Sequence, residues 1–299
     1  MDIKTLITQL KQGDKKSLAR CITIVENEAD GYEEILSSLA FNSNVPVTGI
    51  TGPPGAGKST LINAIISSLI KENKKIGVLA VDPTSPFSKG SLLGDRIRMS
   101  EHFNNEQVYI RSLATRGSLG GLSAKAIEVC DVMKAFGFDH ILIETVGVGQ
   151  SEVEIAGLAD TTVLVLVPEA GDEVQTIKSG IMEIADVFVV NKSDRDGADM
   201  FLKDLHGLLP LRPHSDWAPP VLKCVASKGE GVEKIIESVF AHQKIRSNER
   251  KPWLLAEKAY QLIQNKSMKD ISKQELQKKI EEKMKEKGFN LYQFVKSVK

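Results

Sequence analysis

The chain has 299 residues, 41% of them hydrophobic, with 39 basic residues set against 39 acidic ones and a formal net charge of zero. That length and composition support one sizeable core with smaller appendages, and the charge balance excludes a general electrostatic case for binding nucleic acid or a membrane surface. Three cysteines, Cys21, Cys130 and Cys224, stand far apart without a CxxC pair, which argues against a disulfide framework or a cysteine metal site and for a reducing, cytoplasmic setting.

The first stretch, MDIKTLITQLKQGDKK, lacks the apolar centre of a signal peptide, and no apolar run approaches the ~20 residues of a membrane span. Residues 1–40 read as a helical lead-in. Leu6 and Leu10 lie four apart, and Leu18, Cys21, Ile22 and Val25 follow the i, i+3, i+4, i+7 spacing of one helix face. From Val45 onward short apolar runs alternate with helix-length segments: VTGIT, KIGVLAVD, VYIRSL, DHILIET, TTVLVLVP, VFVVNK and PVLKCV. Near-continuous apolar strands separated by helices predict a parallel sheet covered on both faces, hence an α/β, doubly wound domain over residues 41–245.

Beyond Arg246 the strand signals stop. Residues 246–299 carry 14 Lys and Arg against 7 Asp and Glu. Leu276, Ile280 and Met284 form one helical stripe and Leu291, Phe294, Val295 and Val298 another, with Gly288 as a stop between them. These helices either pack back on the sheet or form an arm that meets a second subunit.

Within the first strand–helix junction, GPPGAGKST spans Gly52, Pro53, Pro54, Gly55, Ala56, Gly57, Lys58, Ser59 and Thr60 and satisfies G-x-x-x-x-G-K-[ST] in full. Glycines let backbone N–H groups curl around phosphate oxygens, and the following helix adds the positive end of its dipole. Lys58 is placed to meet the β- and γ-phosphates, and Ser59 to ligate Mg²⁺. A plain tight turn would not require a lysine and a hydroxyl at those offsets.

The base is indicated downstream by VVNKSD, where Asn191, Lys192 and Asp194 follow an apolar strand. This resembles the N-K-x-D motif of GTPases, whose Asp carboxylate accepts from the two guanine donors that adenine lacks. In CVASKGEG, Ala226 stands where a backbone N–H would reach guanine O6, with Lys228 alongside. Three carboxylates are candidates for the metal and the attacking water. Asp82 ends VLAVD, Asp95 lies in SLLGDRIRM and Glu144 ends ILIET, and strand-end carboxylates of an open α/β sheet face the ligand crevice. In ETVGVGQSE, Glu144 replaces the Asp of D-x-x-G, Gly147 keeps its place to report the γ-phosphate, and Val148 occupies the slot of the usual catalytic glutamine. Valine cannot orient water, so intrinsic hydrolysis is expected to be slow until a partner improves the geometry.

Taken together, VDPTSPFSKGSLLGDRIRM, ETVGVGQSE and GDEVQTIKSGIMEIADVFVVNKSD resemble the MeaB/ArgK GTPases associated with methylmalonyl-CoA mutase, relatives of the methylmalonic aciduria type A protein. The resemblance implies a homodimeric GTPase that chaperones an adenosylcobalamin-dependent acyl-CoA mutase, gates cofactor delivery and protects the mutase, with an adenosyltransferase as a further partner. It implies a first switch from Asp82 to Met99, with Asp95 near Mg²⁺ and the water, and a second from Glu144 to Glu154. A third would lie in PEAGDEVQTIKSG, with Asp172, Gln175 and Lys178 as its polar members and Glu169 where relatives would carry glycine.

Three other readings compete. A nickel-insertion GTPase predicts clustered ligands, yet His102, His140, His206, His214 and His242 are scattered. A P-loop kinase or ATPase linked to amino-acid transport would have no use for a guanine clamp. A signal-recognition GTPase would want a Met-rich module, and the 7 methionines are dispersed.

Overall fold

The structure is a computed structural model that describes residues 2–39, 45–82, 99–114, 125–145, 155–170, 181–212 and 216–245, and parts of 256–298. Residues 1–247 form one compact unit and 248–299 a second.

The first unit contains seven parallel strands: β1 (Val47–Thr51), β2 (Ile76–Asp82), β3 (Val108–Ala114), β4 (His140–Glu144), β5 (Thr161–Leu166), β6 (Val187–Val190) and β7 (Val221–Lys223). Their spatial order is β3-β2-β4-β1-β5-β6-β7, with every pairing parallel. This is the doubly wound sheet that the apolar runs predict. Alternate residues of each strand feed different cores. Val163 and Val165 pack with Ile62 and Ile66 of α4 (Lys58–Lys71), whereas Leu164 and Leu166 pack with Phe201 and Leu205 of the later helix Ala198–Leu208.

On the face opposite α4, the lead-in supplies α1 (Ile3–Lys11), α2 (Lys15–Glu26) and α3 (Tyr32–Ser38). Leu10, Leu18, Cys21 and Ile22 share one buried cluster with Val47, Leu79, Ile141 and Ile143 of the sheet and with α5 (Ala126–Phe136). Polar contacts order the lead-in and join it to β3 and to the start of α5. Asp14 caps α2 by accepting from the Ser17 N–H at 2.8 Å, Arg111 of β3 pairs with Glu26, and Lys125 Nζ reaches Glu28 at 2.7 Å and Glu128 at 2.9 Å.

At the N-terminal ends of the strands, His140 Nε2 and Thr48 Oγ1 share a hydrogen bond of 2.8 Å, and the Phe240 ring lies edge-on to the imidazole. Burial pushes the His140 pKa down to about 4. This end lies away from the site described next.

In the second unit, helices Lys273–Lys283 and Leu291–Ser297 correspond to the two predicted stripes; Gly288 lies outside the described residues. The Asn290 side chain caps the latter by accepting from the Tyr292 and Gln293 N–H groups. Met284, Tyr292 and Val295 are 65%, 80% and 60% exposed. Among the described residues no helix is long and apolar enough to cross a membrane.

Candidate functional site

Every described candidate residue collects at the C-terminal ends of the parallel strands, where a doubly wound sheet binds its ligands. β1 runs into the phosphate loop and α4 leaves it. Two glycines are required by close approach as well as by positive φ. At Gly52, φ is 140°, and a Cβ would stand 2.1 Å from the Val165 carbonyl oxygen; at Gly57, φ is 88°, and a Cβ would stand 2.4 Å from Asn191 Nδ2. Gly57 is also the N-cap of α4 and brings no side chain to its first turn. The helix therefore offers its amide end to an anionic ligand.

Lys58 is only 6% exposed. Its ammonium donates to the Gly52 carbonyl at 2.8 Å and the Pro53 carbonyl at 3.1 Å, so it is held inside the loop whose phosphates it is expected to meet. Thr60 lies on the exposed side of the first turn, and Pro54 and Gly55 on the exposed rim of the loop.

Ser59 turns the other way, into the sheet. Its hydroxyl donates to Glu144 Oε1 at 2.7 Å, and both residues are almost fully buried. β1 and β4 are neighbours, with Ile50 opposite Glu144, which is how residues 85 apart in sequence meet. A hydroxyl and a carboxylate converging there are hard oxygen donors of the kind Mg²⁺ takes alongside substrate phosphates. Among the described residues no cluster of three His, Cys, Asp or Glu is placed to hold a metal ion. Asp82 closes β2, its backbone paired with Ala114.

At the base end, the Asn191 amide spans two loops. Its Nδ2 donates to the Ala56 carbonyl at 2.8 Å and its Oδ1 accepts from the Ala226 N–H at 3.1 Å, so the N–H expected to meet guanine here serves the loop junction. Lys192 adopts φ 56°, and its ammonium donates to the Gly55 carbonyl at 2.8 Å. Asp194 pairs with Lys228 at 3.1 Å. The hydrogen bond from Lys228 holds the Asp194 carboxyl below the usual carboxylate range and raises the lysine's own pKa.

Two contacts were not anticipated from the sequence. Thr51 Oγ1 and Thr145 Oγ1 lie 2.9 Å apart, with both residues buried. Glu169, expected to replace a glycine, forms an ion pair with Arg195 in the N-K-x-D loop. Neither has a motif that could have revealed it. Asp95, Gly147, Val148, Asp172, Gln175 and Lys178 lie outside the described residues.

The family described as methylmalonyl Co-A mutase-associated GTPase MeaB matches residues 18–285. The chain belongs to the MeaB family. A Pyrococcus horikoshii protein named as a GTPase is 48% identical over 261 residues, covering 86% of this chain and 81% of its own length. The GTPase ArgK of Escherichia coli is 36% identical over 270 residues, covering 83% and 81%. A mouse protein named methylmalonic aciduria type A homolog, mitochondrial, is 39% identical over 269 residues, covering 83% of this chain and 65% of its own length. The crystal structure of a LAO/AO transport system kinase aligns with TM-score 0.69 at 28% identity, covering 90% of this chain and 87% of that one. With the P-loop fold, MeaB membership makes this chain a GTP hydrolase.

Proposed function

We propose that this MeaB-family GTPase is a nucleotide-driven switch serving an adenosylcobalamin-dependent acyl-CoA mutase, with methylmalonyl-CoA mutase the first candidate. In this reading it works as a homodimer in the cytoplasm, gates cofactor delivery, with an adenosyltransferase as donor, and protects the mutase. The family match over residues 18–285 carries the proposal. The geometry supports its chemical half, because phosphate loop, buried oxygen pair and base-reading loop meet at one end of the sheet.

Lys58 leaves the Gly52 and Pro53 carbonyls to meet the β- and γ-phosphates, and the amide end of α4 takes up the remaining phosphate charge. Ser59 and Glu144 would hold Mg²⁺, with Asp82 and Asp95 as further candidate ligands; when bound, the ion would offset the negative charge that develops on the phosphates. Asp194 releases Lys228 and accepts from the guanine N1 and N2 donors, while Lys192 and Asn191 keep the base loop against the phosphate loop. Gly147 reports the γ-phosphate through its N–H. Val148 supplies no group to orient water, so the mutase supplies the missing geometry, and loss of phosphate relaxes the switch segments.

The test is nucleotide-dependent association with purified mutase. Binding that differs at least tenfold between the GDP form and a non-hydrolysable GTP form supports the reading. Equal binding, or none in either form, counts against it.

A further inference from the structure

Two hydroxyls mark the point where the phosphate loop and the segment after β4 diverge. β1 and β4 run in register from Val47 opposite Ile141 to Ile50 opposite Glu144, and the Thr145 N–H donates to the Ile50 carbonyl at 3.1 Å. One residue further along, Thr51 Oγ1 and Thr145 Oγ1 are 2.9 Å apart, with the two residues 0% and 1% exposed. Strand alternation gives this contact its direction. Ile50 and Glu144 face α4, where Glu144 meets Ser59. Thr51 and Thr145 therefore face the opposite side, on which Gly49 lies against Ile155 and Ala159.

We propose that the Thr51–Thr145 pair is a positioning clip. It sets the separation of the two strand ends from one face of the sheet, so that on the other face Ser59 and Glu144 form a single oxygen site for the nucleotide's divalent cation. This inference rests on the reading of Ser59 and Glu144 as cation ligands. Mg²⁺ tolerates little departure from octahedral geometry, and small misplacements of positioned groups cost large factors in rate. Among the described residues, the bond from the Thr145 N–H to the Ile50 carbonyl is the backbone bond between these strand ends nearest the loops, and the side-chain contact one residue on reinforces the alignment there.

A packing role makes the opposite demand on substitution. Valine keeps the threonine shape and loses the hydroxyl; serine keeps the hydroxyl and loses the methyl. The experiment compares Thr145→Val, Thr145→Ser, Thr51→Val and the double valine variant of the full chain. It measures the Mg²⁺ concentration that half-retains a fluorescent GDP, kcat and KM for GTP, and the melting temperature. Thr145→Val is expected to need about tenfold more Mg²⁺ and to lose about tenfold in kcat, with KM within twofold, and Thr145→Ser to restore both. The double variant leaves no buried hydroxyl without its partner and melts close to the parent, yet keeps the Mg²⁺ defect. A normal Mg²⁺ requirement in Thr145→Val, or its recovery in the double variant, overturns the clip. Glu144→Gln separates the layers. If it shifts the Mg²⁺ requirement and Thr145→Val does not, the clip alone fails; if Glu144→Gln shifts nothing, the ligand reading beneath it fails too.

Discussion

The Ser59 hydroxyl donates to Glu144 Oε1 across 2.7 Å inside the sheet, joining the first turn of α4 to the end of β4. Neither residue is free to wander, because both are buried to within 4% of complete enclosure. The phosphate loop and the carboxylate that replaces the usual Asp of D-x-x-G are thus one preorganised unit.

Glu144→Gln tests that unit. The amide keeps the shape and loses the charge, so the Mg²⁺ concentration for half-maximal GTP turnover is expected to rise at least tenfold while metal-free GDP binding changes little. A Mg²⁺ titration of turnover, paired with fluorescent GDP binding in chelator, reads both.

The base loop separates into a reader and a brace. Asp194→Asn removes the carboxylate that would grip guanine; binding of GTP should fall by about 1–3 kcal/mol, with xanthine nucleotides gaining. Asn191→Ala instead leaves the Ala56 carbonyl and Ala226 N–H without their side-chain partner. It should cost about 2 kcal/mol of stability and weaken all purine nucleotides alike. Competition binding with GTP, XTP and ATP distinguishes the two patterns.

Acid should weaken the fold through His140. Its folded pKa of about 4 lies below the unfolded value near 6.5, so the buried ring is neutral where the unfolded ring charges. Nothing is lost above pH 6.5; stability falls as pH drops from there to about 4, by up to about 3 kcal/mol from this group. His140→Gln should flatten that part of a denaturation-versus-pH curve, although it gives up some stability at neutral pH.

Leu18→Ala tests whether the lead-in belongs to the GTPase core. Leu18 is 0% exposed in the cluster shared with β1, β2 and β4, so truncation should cost about 2–5 kcal/mol of the global transition. A lead-in that folded separately would give a second, independent transition in urea instead.

Much of this was legible in the chain. Near-continuous apolar runs such as TTVLVLVP announce strands buried on both faces, and the offsets of Lys58 and Ser59 announce the loop, because each signal is local. Glu144 could be read as facing the crevice from its place at a strand end. What could not be read are the contacts that depend on strand order. Thr51 meets Thr145 across 94 residues because β4 lies next to β1, and Asn191 meets Ala56 across 135 because β6 follows β1 and β5 in the sheet order. No periodicity encodes that adjacency. The pairing of Glu169 with Arg195 was hidden for the same reason: the β5–β6 pairing brings their loops together.

The most direct measurement is GTP hydrolysis by the isolated chain and by the chain mixed with an adenosylcobalamin-dependent acyl-CoA mutase. The account predicts slow turnover alone and at least a tenfold rise with the mutase, abolished by Lys58→Ala. Fast turnover by the isolated chain, or a rate the mutase leaves unchanged, would contradict it.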